Sequence, residues 1–256
     1  MKIALCLSGG ALRAAAQIGA LRFLEERGVR IAAVSGSSAG AVAALLLAAG
    51  WESRRIEGFL RSLRRRDLFR PERGPGIFGL GGVERLLRRE LGELRYEALS
   101  IPCYSCLTEL KTGKSCYLHS GDPIANVLAS SSLTPLFGPR EIDGVSFIDG
   151  GFSDNLPVMP LKAHSLPILS LDVNPLPAAM PTGFRDLLLH SVMIVLNRNI
   201  RPSLAMSDAA LQFRSVAGMH LFDFRAAKEA LRGGYREMEA AWPELERRLR
   251  ERARVL

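Results

Sequence analysis

Short apolar runs alternate with longer segments of helical periodicity along this chain. Residues 3–7 and 31–35 are short and apolar, which is typical of strands buried on both faces. Each run is followed by a segment in which apolar residues recur at helical spacing, residues 13–27 and 39–49, and each segment ends at a glycine. This alternation predicts an α/β sandwich with a largely parallel central sheet.

The same pattern predicts further elements toward the C-terminus. The strands are expected at residues 101–107, 115–118, 145–148 and 166–172, and the helices at residues 83–91, 123–130, 184–196 and 225–252. We expect an interruption of the last helix near Gly233, Gly234 and Pro243. No shift in composition marks a boundary, so the sequence predicts a single domain over residues 1–256.

An arginine-rich segment and a segment rich in glycine and proline lie in the first half of the chain. Residues 54–66 predict a helix with one apolar side, formed by Ile56, Phe59, Leu60 and Leu63. Residues 71–82 predict a mobile loop. Three apolar residues of this loop either pack beneath it or form a lid or a membrane-touching tip, namely Ile77, Phe78 and Leu80.

The composition adds a strong positive charge. The 256 residues are 48% hydrophobic, which suffices for one large α/β core, and carry a formal net charge of +8. The arginines of residues 54–89 form either a solvated helical face or a surface for an anionic membrane. No nucleic-acid-binding motif is visible, so no nucleic-acid partner is predicted. The sequence leaves the oligomeric state open.

The sequence predicts neither a signal peptide nor a transmembrane helix. The longest apolar stretches, such as residues 41–49, are too short to span a bilayer. The apolar N-terminus is interrupted by Ser8, Gly9 and Gly10, which fits a buried strand better than a signal peptide. We therefore expect a cytoplasmic protein, with peripheral contact at the membrane as an extension of that location.

The cysteines predict neither a metal site nor a disulfide. Cys103 and Cys106 lie three residues apart in a predicted strand, so their side chains point to opposite faces. No second pair of ligands completes a zinc site. Buried, reduced thiols are the interpretation that the sequence favours, and no cofactor is expected.

The segment Gly36-Ser37-Ser38-Ala39-Gly40 carries the first chemical signal. It joins a predicted strand to a predicted helix, which is the context of a nucleophile elbow. Flanking glycines permit the tight turn, and the helix N-terminus presents unpaired N–H groups to a developing negative charge. Ser38 is therefore the candidate nucleophile, and an ordinary serine-rich turn is the alternative.

The first loop carries a second signal. Gly9 and Gly10 lie between a strand and a helix, where exposed N–H groups bind an anion such as a phosphate or the oxyanion of a tetrahedral intermediate. The loop matches neither a Walker sequence nor a dinucleotide fingerprint. Arg13 either adds positive charge, anchors the loop or is an exposed residue of the first helical turn.

Asp149 carries the third signal. It ends a predicted strand and precedes Gly150 and Gly151. Active sites of α/β proteins lie at the C-terminal ends of strands, and glycines there allow substrate to approach closely. The alternative is an ordinary Asp-Gly turn.

Together these segments resemble the patatin-like phospholipase family. The resemblance rests on Leu7-Ser8-Gly9-Gly10…Arg13, on Gly36-Ser37-Ser38-Ala39-Gly40 and on Asp149-Gly150-Gly151, with support from residues 130–137 and from Asp154-Asn155-Leu156-Pro157. It covers a core of about residues 3–172 and continues weakly to Gly233-Gly234-Tyr235, within a mainly helical part of about residues 180–256.

The resemblance implies a three-layer α/β/α sandwich and a lipid acyl hydrolase of the phospholipase A, lysophospholipase or esterase type. Ser38 matches the nucleophile and Asp149 the general base of a Ser-Asp dyad that acts through an acyl-enzyme and needs no metal. The glycine loop with Arg13 matches the oxyanion site. The implied partner is a phospholipid or another acyl ester.

The glycine loop departs from the family pattern at two positions. Ala11 stands where the family has a third glycine, and Ala14 stands where it has a glycine after the arginine. Alanine does not adopt a positive φ cheaply. If the loop needs that conformation at residue 11, the oxyanion site is distorted; if it needs only close approach, alanine suffices.

Three alternative functions stay open at this point. His164, His190 and His220 follow Asp149, so chain order permits a Ser-His-Asp triad of the α/β-hydrolase type. The alanines of the glycine loop suit a catalytically impaired protein that binds lipid or a partner. An anion- or nucleotide-binding module explains the first loop alone and leaves Ser38 and Asp149 without a role.

Overall fold

The computed structural model describes residues 1–176 and 180–256. Its strands are β1 Lys2–Leu7, β2 Arg30–Ser37, β3 Arg70–Pro71, β4 Phe78–Gly79, β5 Cys103–Glu109, β6 Ser115–Leu118, β7 Arg140–Ile142, β8 Val145–Asp149, β9 Ile168–Asp172 and β10 Ala209–Gln212. Its α-helices are α1 Ala15–Glu26, α2 Ala39–Ala48, α3 Ser53–Ser62, α4 Arg65–Leu68, α5 Gly81–Leu91, α6 Pro123–Ser130, α7 Phe184–Met206 and α8 Ala227–Ala253.

One sheet forms the centre of the fold, in the order β10-β9-β1-β2-β5-β8-β7, with β6 also paired to β5. The strands from β10 to β5 run parallel to their neighbours. In contrast, β6 and β8 are antiparallel to β5, and β7 is antiparallel to β8. The predicted, mostly parallel sheet is confirmed. The sequence pattern misses β7 and β10, which are short strands at the two edges.

Helices cover both faces of this sheet. On β1, Leu5 and Leu7 join the larger core formed with α1, α2 and α8, whereas Ala4 and Cys6 point to the opposite face. This alternation follows from the two-residue period of a strand. The opposite face packs against the 3₁₀ helix Met159–His164 and the C-terminal half of α7. The result is the expected three-layer α/β/α sandwich.

Helices α1 and α8 cross at two glycines. A Cβ atom added to Gly19 or to Gly234 would collide with the backbone of the other helix. The predicted interruption near Gly233, Gly234 and Pro243 is wrong, because α8 runs without a break through all three residues. Here tertiary packing overrides the local helix-breaking tendency, since Gly234 allows a close approach of two helix axes.

The arginine-rich segment forms two helices where the sequence predicts one. Leu63 has an extended backbone and separates α3 from α4. The following segment contains the short strand β4, which pairs with β3, so the expectation of a loop over residues 71–82 is only partly met. Within it Leu80 is buried and Ile77 is exposed. Among the described residues, no helix has the length and apolar character needed to cross a bilayer.

Candidate active site

Ser38 occupies a strained turn between β2 and α2. Its backbone has φ 52° and ψ −126°, a conformation that residues other than glycine rarely adopt. The turn is also tight: a Cβ atom on Gly36 would collide with the backbone of Gly40, and one on Gly40 would lie 2.5 Å from the carbonyl oxygens of Leu7 and Ser8. Glycines on both sides are therefore required by close backbone contacts.

Hydrogen bonds hold the backbone of Ser38 in this conformation. Its N–H donates to the hydroxyl of Ser130 at 2.8 Å, and that hydroxyl donates to the carbonyl oxygen of Cys106 at 2.6 Å. The carbonyl of Ser38 accepts the first bonds of α2, from Ala41 and Val42. The side chain of Ser38 makes none of these bonds, so its hydroxyl is left for chemistry.

The register of three strands brings Asp149 to the same level of the sheet as Ser38. Ser37 pairs with Cys106 across β2 and β5, and the next residue of β5, Leu107, pairs with Asp149 across β5 and β8. Because β8 is antiparallel to β5, the expected common C-terminal edge is not what places Asp149. The register does, and the N–H of Asp149 is held by the carbonyl oxygen of Ser132 at 3.0 Å.

The carboxyl group of Asp149 is buried beside the Ser38 hydroxyl. Burial raises the pKa of Asp149 to about 6, because a charged carboxylate loses its hydration. Hydrogen bonding to the Ser38 side chain and to the N–H of Gly151, at 2.8 Å, lowers the pKa and offsets part of that rise. A base with a pKa near the working pH accepts a proton efficiently and can return it.

The glycine loop places backbone N–H groups at the same site. Among the described residues, no acceptor binds the N–H of Gly10 or Ala11, and both residues line the cavity at Ser38. The N–H of Gly9 already donates to the carbonyl oxygen of Asn155 at 3.3 Å. A Cβ atom on Gly9 would lie 2.9 Å from Cβ of Ser38, so Gly9 provides close approach while Gly10 and Ala11 provide free donors.

Ala11, which stands where the family has a third glycine, adopts a positive φ. Its φ is 49°, in the left-handed region, which costs an alanine on the order of 1–2 kcal/mol. Ala14, the second departure, has a helical φ of −57°. Buried side chains fix the loop around Ala11: Asn174 donates to the carbonyl oxygen of Gly9 at 2.7 Å, and Gln17 donates to that of Ser8 at 3.0 Å.

Arg13 is buried and lies behind the loop. Its Nε donates to the carbonyl oxygen of Met219 at 2.8 Å. Burial lowers the pKa of Arg13 to about 10, and the charge of Asp172 raises it in part. The side chain thus ties the loop to the C-terminal part of the chain and is neither an exposed residue nor part of the described cavity wall.

A narrow apolar cavity leads away from Ser38. Its volume is about 120 Å³. The polar side chains in its described wall are Ser38, Ser131, Asp149 and Asn155. The rest of the wall is mainly apolar and includes one face of α2 and one of α3, formed by Ala39, Val42, Ala43, Leu46, Ile56, Phe59 and Leu60. Such a wall suits an extended hydrocarbon chain with its polar end at Ser38.

The histidines lie elsewhere. In the part of the chain that the structure describes, no histidine lines the cavity at Ser38. His164 bonds to the hydroxyl of Tyr104 at 2.9 Å, and His220 lines a separate cleft. The cavity wall at Ser38 therefore contains the carboxyl group of Asp149 and, among the described residues, no histidine. Cys103 and Cys106 are free, buried thiols, as predicted.

Asn155 belongs to this site although in the sequence it stands out only as part of the motif Asp154-Asn155-Leu156-Pro157. Its side chain is buried against the cavity, and neither of its amide atoms has a hydrogen-bond partner among the described residues. A Cβ atom added to Gly9 would lie 2.6 Å from Oδ1 of Asn155, and one added to Gly151 would lie 2.9 Å from it. An asparagine in a loop sequence gives no local signal of such burial.

Comparison with known proteins places this geometry in a family. The family model described as patatin-like phospholipase matches residues 5–162. The chain belongs to the patatin-like phospholipase family. The motifs of Ser38 and Asp149 both lie inside the matched region, and the family supports a lipid hydrolase.

The relatives are longer proteins. An uncharacterized NTE family protein of Mycobacterium tuberculosis is 35% identical over 168 residues, which are 62% of this chain and 45% of the relative. Lysophospholipase NTE1 of Candida glabrata is 31% identical over 205 residues, 77% of this chain and 12% of the relative. The chain thus spans less than half of these relatives. The crystal structure of VipD from Legionella pneumophila shares the fold, with a TM-score of 0.58 and 14% identity over 95% of this chain and 67% of VipD.

Proposed function

We propose that this chain is a serine acyl hydrolase that cleaves phospholipids, lysophospholipids or related acyl esters. The observation that carries the proposal is that Ser38 and the buried Asp149 carboxyl line the same apolar cavity, where hydrogen bonding to the Ser38 side chain lowers the pKa of Asp149. The name of the Candida glabrata relative, a lysophospholipase, supports the same substrate class.

The proposed reaction has two steps. Asp149 takes the hydroxyl proton of Ser38 while Oγ attacks the acyl carbonyl carbon, and the N–H groups of Gly10 and Ala11 bind the resulting oxyanion. The ester C–O bond breaks, Asp149 returns its proton to the leaving alcohol, and an acyl-enzyme remains. Water then gives a proton to Asp149 and attacks the acyl carbon; the bond from that carbon to Oγ breaks, Asp149 returns the proton to Oγ of Ser38, and the fatty acid is released.

The experiment that tests this proposal compares three proteins with a fluorophosphonate probe and a short-chain ester. The unchanged chain should hydrolyse the ester and carry the label on the peptide that contains Ser38. Ser38→Ala should lose both. Ser131→Ala is the matched control, because Ser131 lines the same cavity but its hydroxyl bonds to the carbonyl oxygen of Val127. Equal hydrolysis by the unchanged chain and Ser38→Ala would refute the proposal.

A protein that binds lipid without hydrolysing it is the second candidate. The left-handed conformation of Ala11 favours it, because the strain falls on one of the two proposed oxyanion donors. This candidate predicts that the probe leaves Ser38 unlabelled while fatty acids still bind in the cavity. Labelling of Ser38 would exclude it.

We also propose peripheral contact with an anionic membrane through α7. Among the side chains of α7 that the structure describes, five large apolar ones are exposed at helical spacing: Phe184, Leu187, Leu188, Ile194 and Val195. The exposed Arg198 and Arg201 continue along the helix, and Leu196 of the same helix lines the cavity at Ser38. An apolar stripe with arginines at one end fits a lipid surface, and it lies beside the cavity that would receive an acyl chain.

A further inference from the structure

The side-chain amide of Asn155 is buried in the site without a hydrogen-bond partner in the described part of the chain, which is energetically unfavourable. The residue is 1% exposed, and the lack of a partner applies to both amide atoms. A buried amide without partners has lost its hydration and gained nothing in return. Such groups are rare in folded proteins, and one of their explanations is a partner that arrives only with the ligand.

The amide group of Asn155 lies close to both Ser38 and Asp149. The positions that Cβ atoms of Gly9 and Gly151 would occupy lie 2.6 Å and 2.9 Å from its Oδ1. The Cβ position at Gly9 also lies 2.9 Å from Cβ of Ser38, and the Cβ position at Gly151 lies 3.1 Å from Oδ1 of Asp149. The amide therefore lies close to both Ser38 and Asp149, and this close approach is possible because residues 9 and 151 have no side chains.

The backbone holds Asn155 in this place while leaving its amide unconstrained. Its carbonyl oxygen accepts the N–H of Gly9, and the N–H of the next residue, Leu156, donates to the carboxylate of Asp154 at 3.2 Å. Within residues 1–176 and 180–256 no hydrogen bond fixes the amide group, so a half-turn that exchanges Oδ1 and Nδ2 breaks none there. A negative oxygen at this site requires a donor, which Nδ2 supplies.

We propose that Asn155 is a catalytic residue whose Nδ2 group donates a hydrogen bond to the carbonyl oxygen of the ester as it becomes an oxyanion on Ser38. This inference rests on the proposed hydrolase function. In the two-step reaction, Asn155 adds a side-chain donor to the N–H groups of Gly10 and Ala11. It transfers no proton, so the proton balance between Ser38, Asp149 and water is unchanged.

The test compares two equally buried asparagines, one whose amide forms hydrogen bonds within the described structure and one whose amide does not. Asn126 is also 1% exposed, but its amide donates to the hydroxyl of Tyr96 at 3.1 Å and to the carbonyl oxygen of Ser120 at 2.9 Å. It does not line the described cavity. Asn155→Leu and Asn126→Leu therefore make the same change in volume and polarity, inside and outside the site.

Asn155→Leu should lower kcat by about 10²-fold, the typical effect of removing one oxyanion donor, with little change in KM. Its fluorophosphonate labelling rate should fall by a similar factor, and its thermal midpoint should equal or exceed that of the unchanged chain. Asn126→Leu should lower the thermal midpoint and keep kcat per folded molecule. Full kcat in Asn155→Leu, or a loss of stability as large as in Asn126→Leu, overturns the proposal.

The pH profile separates a donor from a residue that acts through Asp149. A donor to the oxyanion lowers kcat equally at every pH, so a shifted midpoint in Asn155→Leu also overturns the proposal. Asn155→Ala, which introduces no clash, is measured in the same way if the leucine variant does not fold. Failure of the hydrolase function itself is distinguishable, because the unchanged chain would then not be labelled at Ser38.

Discussion

The N–H of Ser38 donates to the hydroxyl of Ser130 at 2.8 Å, across 92 positions of sequence. This bond fixes the peptide group of the candidate nucleophile in its strained conformation, with a positive φ. The hydroxyl of Ser130 in turn donates a hydrogen bond to the carbonyl oxygen of Cys106 in the neighbouring strand β5. The direction of the Ser38 hydroxyl therefore depends on α6 and β5 as well as on its own turn.

Ser130→Ala should weaken both the fold and the reaction. It leaves the N–H of Ser38 and the carbonyl of Cys106 without a partner, at a cost of about 1–3 kcal/mol in the free energy of unfolding. We expect kcat to fall and KM to change little, measured with a short-chain ester beside a urea titration. Ser132→Ala is the control: within the described part of the chain its buried hydroxyl bonds to the carbonyl oxygen of Leu128 alone, so the substitution should leave kcat unchanged.

The pKa of Asp149 predicts how activity depends on pH. The proposed base acts only when it is ionised, and its pKa in the folded chain is about 6. The value of kcat/KM should therefore fall as the pH decreases through about 6, in a profile with one acidic limb. A midpoint near the ordinary aspartate value of about 3.9 would contradict the role of burial.

The same pKa predicts a stability effect with a defined sign. A pKa raised on folding means that the folded chain binds more protons than the unfolded chain between pH about 4 and 6, so ionisation of Asp149 destabilises the fold above that window. Asp149→Asn removes this penalty. Relative to the unchanged chain, its free energy of unfolding should rise by about 3 kcal/mol over the whole transition, from well below pH 4 to well above pH 6, at 1.36 kcal/mol per pKa unit.

Substituting glycine for Ala11 and for Ala14 should change the free energy of unfolding in opposite directions. Ala11→Gly relieves a left-handed alanine and should increase the free energy of unfolding by up to about 1 kcal/mol, after the greater entropy of an unfolded glycine is included. Ala14→Gly replaces a helical alanine and should decrease it by about 0.5–1 kcal/mol. Denaturant titrations measure both, and destabilisation by Ala11→Gly would show that its φ is not strained.

Local patterns predicted the turn that holds the candidate nucleophile but not its surroundings. The alternation of apolar runs and helical spacing identified strands β1 and β2, and the glycines around Ser38 identified the turn, because these signals lie within a few residues. The pairing of Leu107 with Asp149 depends on strand register across the sheet, which no local pattern contains. The continuity of α8 through Gly234 likewise depends on its contact with α1.

The cavity wall along α2 predicts which ester chains the proposed hydrolase would accept. Ala43 lines the cavity five residues beyond Ser38, about 7.5 Å along the helix at 1.5 Å per residue. Ala43→Phe should block the space beyond that point. We expect long-chain esters to lose kcat/KM by at least about tenfold while short-chain esters keep it, with the short ester as the internal control for folding. Equal losses for both chain lengths would place the acyl chain elsewhere.

The exposed face of α7 makes the final prediction, on membrane contact. Leu188 is 47% exposed on the α7 stripe, and Leu110 is 49% exposed next to the β5–β6 hairpin, so the two leucines offer the same change at two places. Leu188→Asp should reduce binding to vesicles of phosphatidylcholine and phosphatidylglycerol in a sedimentation assay, because it places a charge in the apolar contact, whereas Leu110→Asp should not. Added salt should weaken binding of the unchanged chain, since Arg198 and Arg201 would contribute through screened charges. Binding that is insensitive to salt and to Leu188→Asp would mean that α7 does not face the lipid.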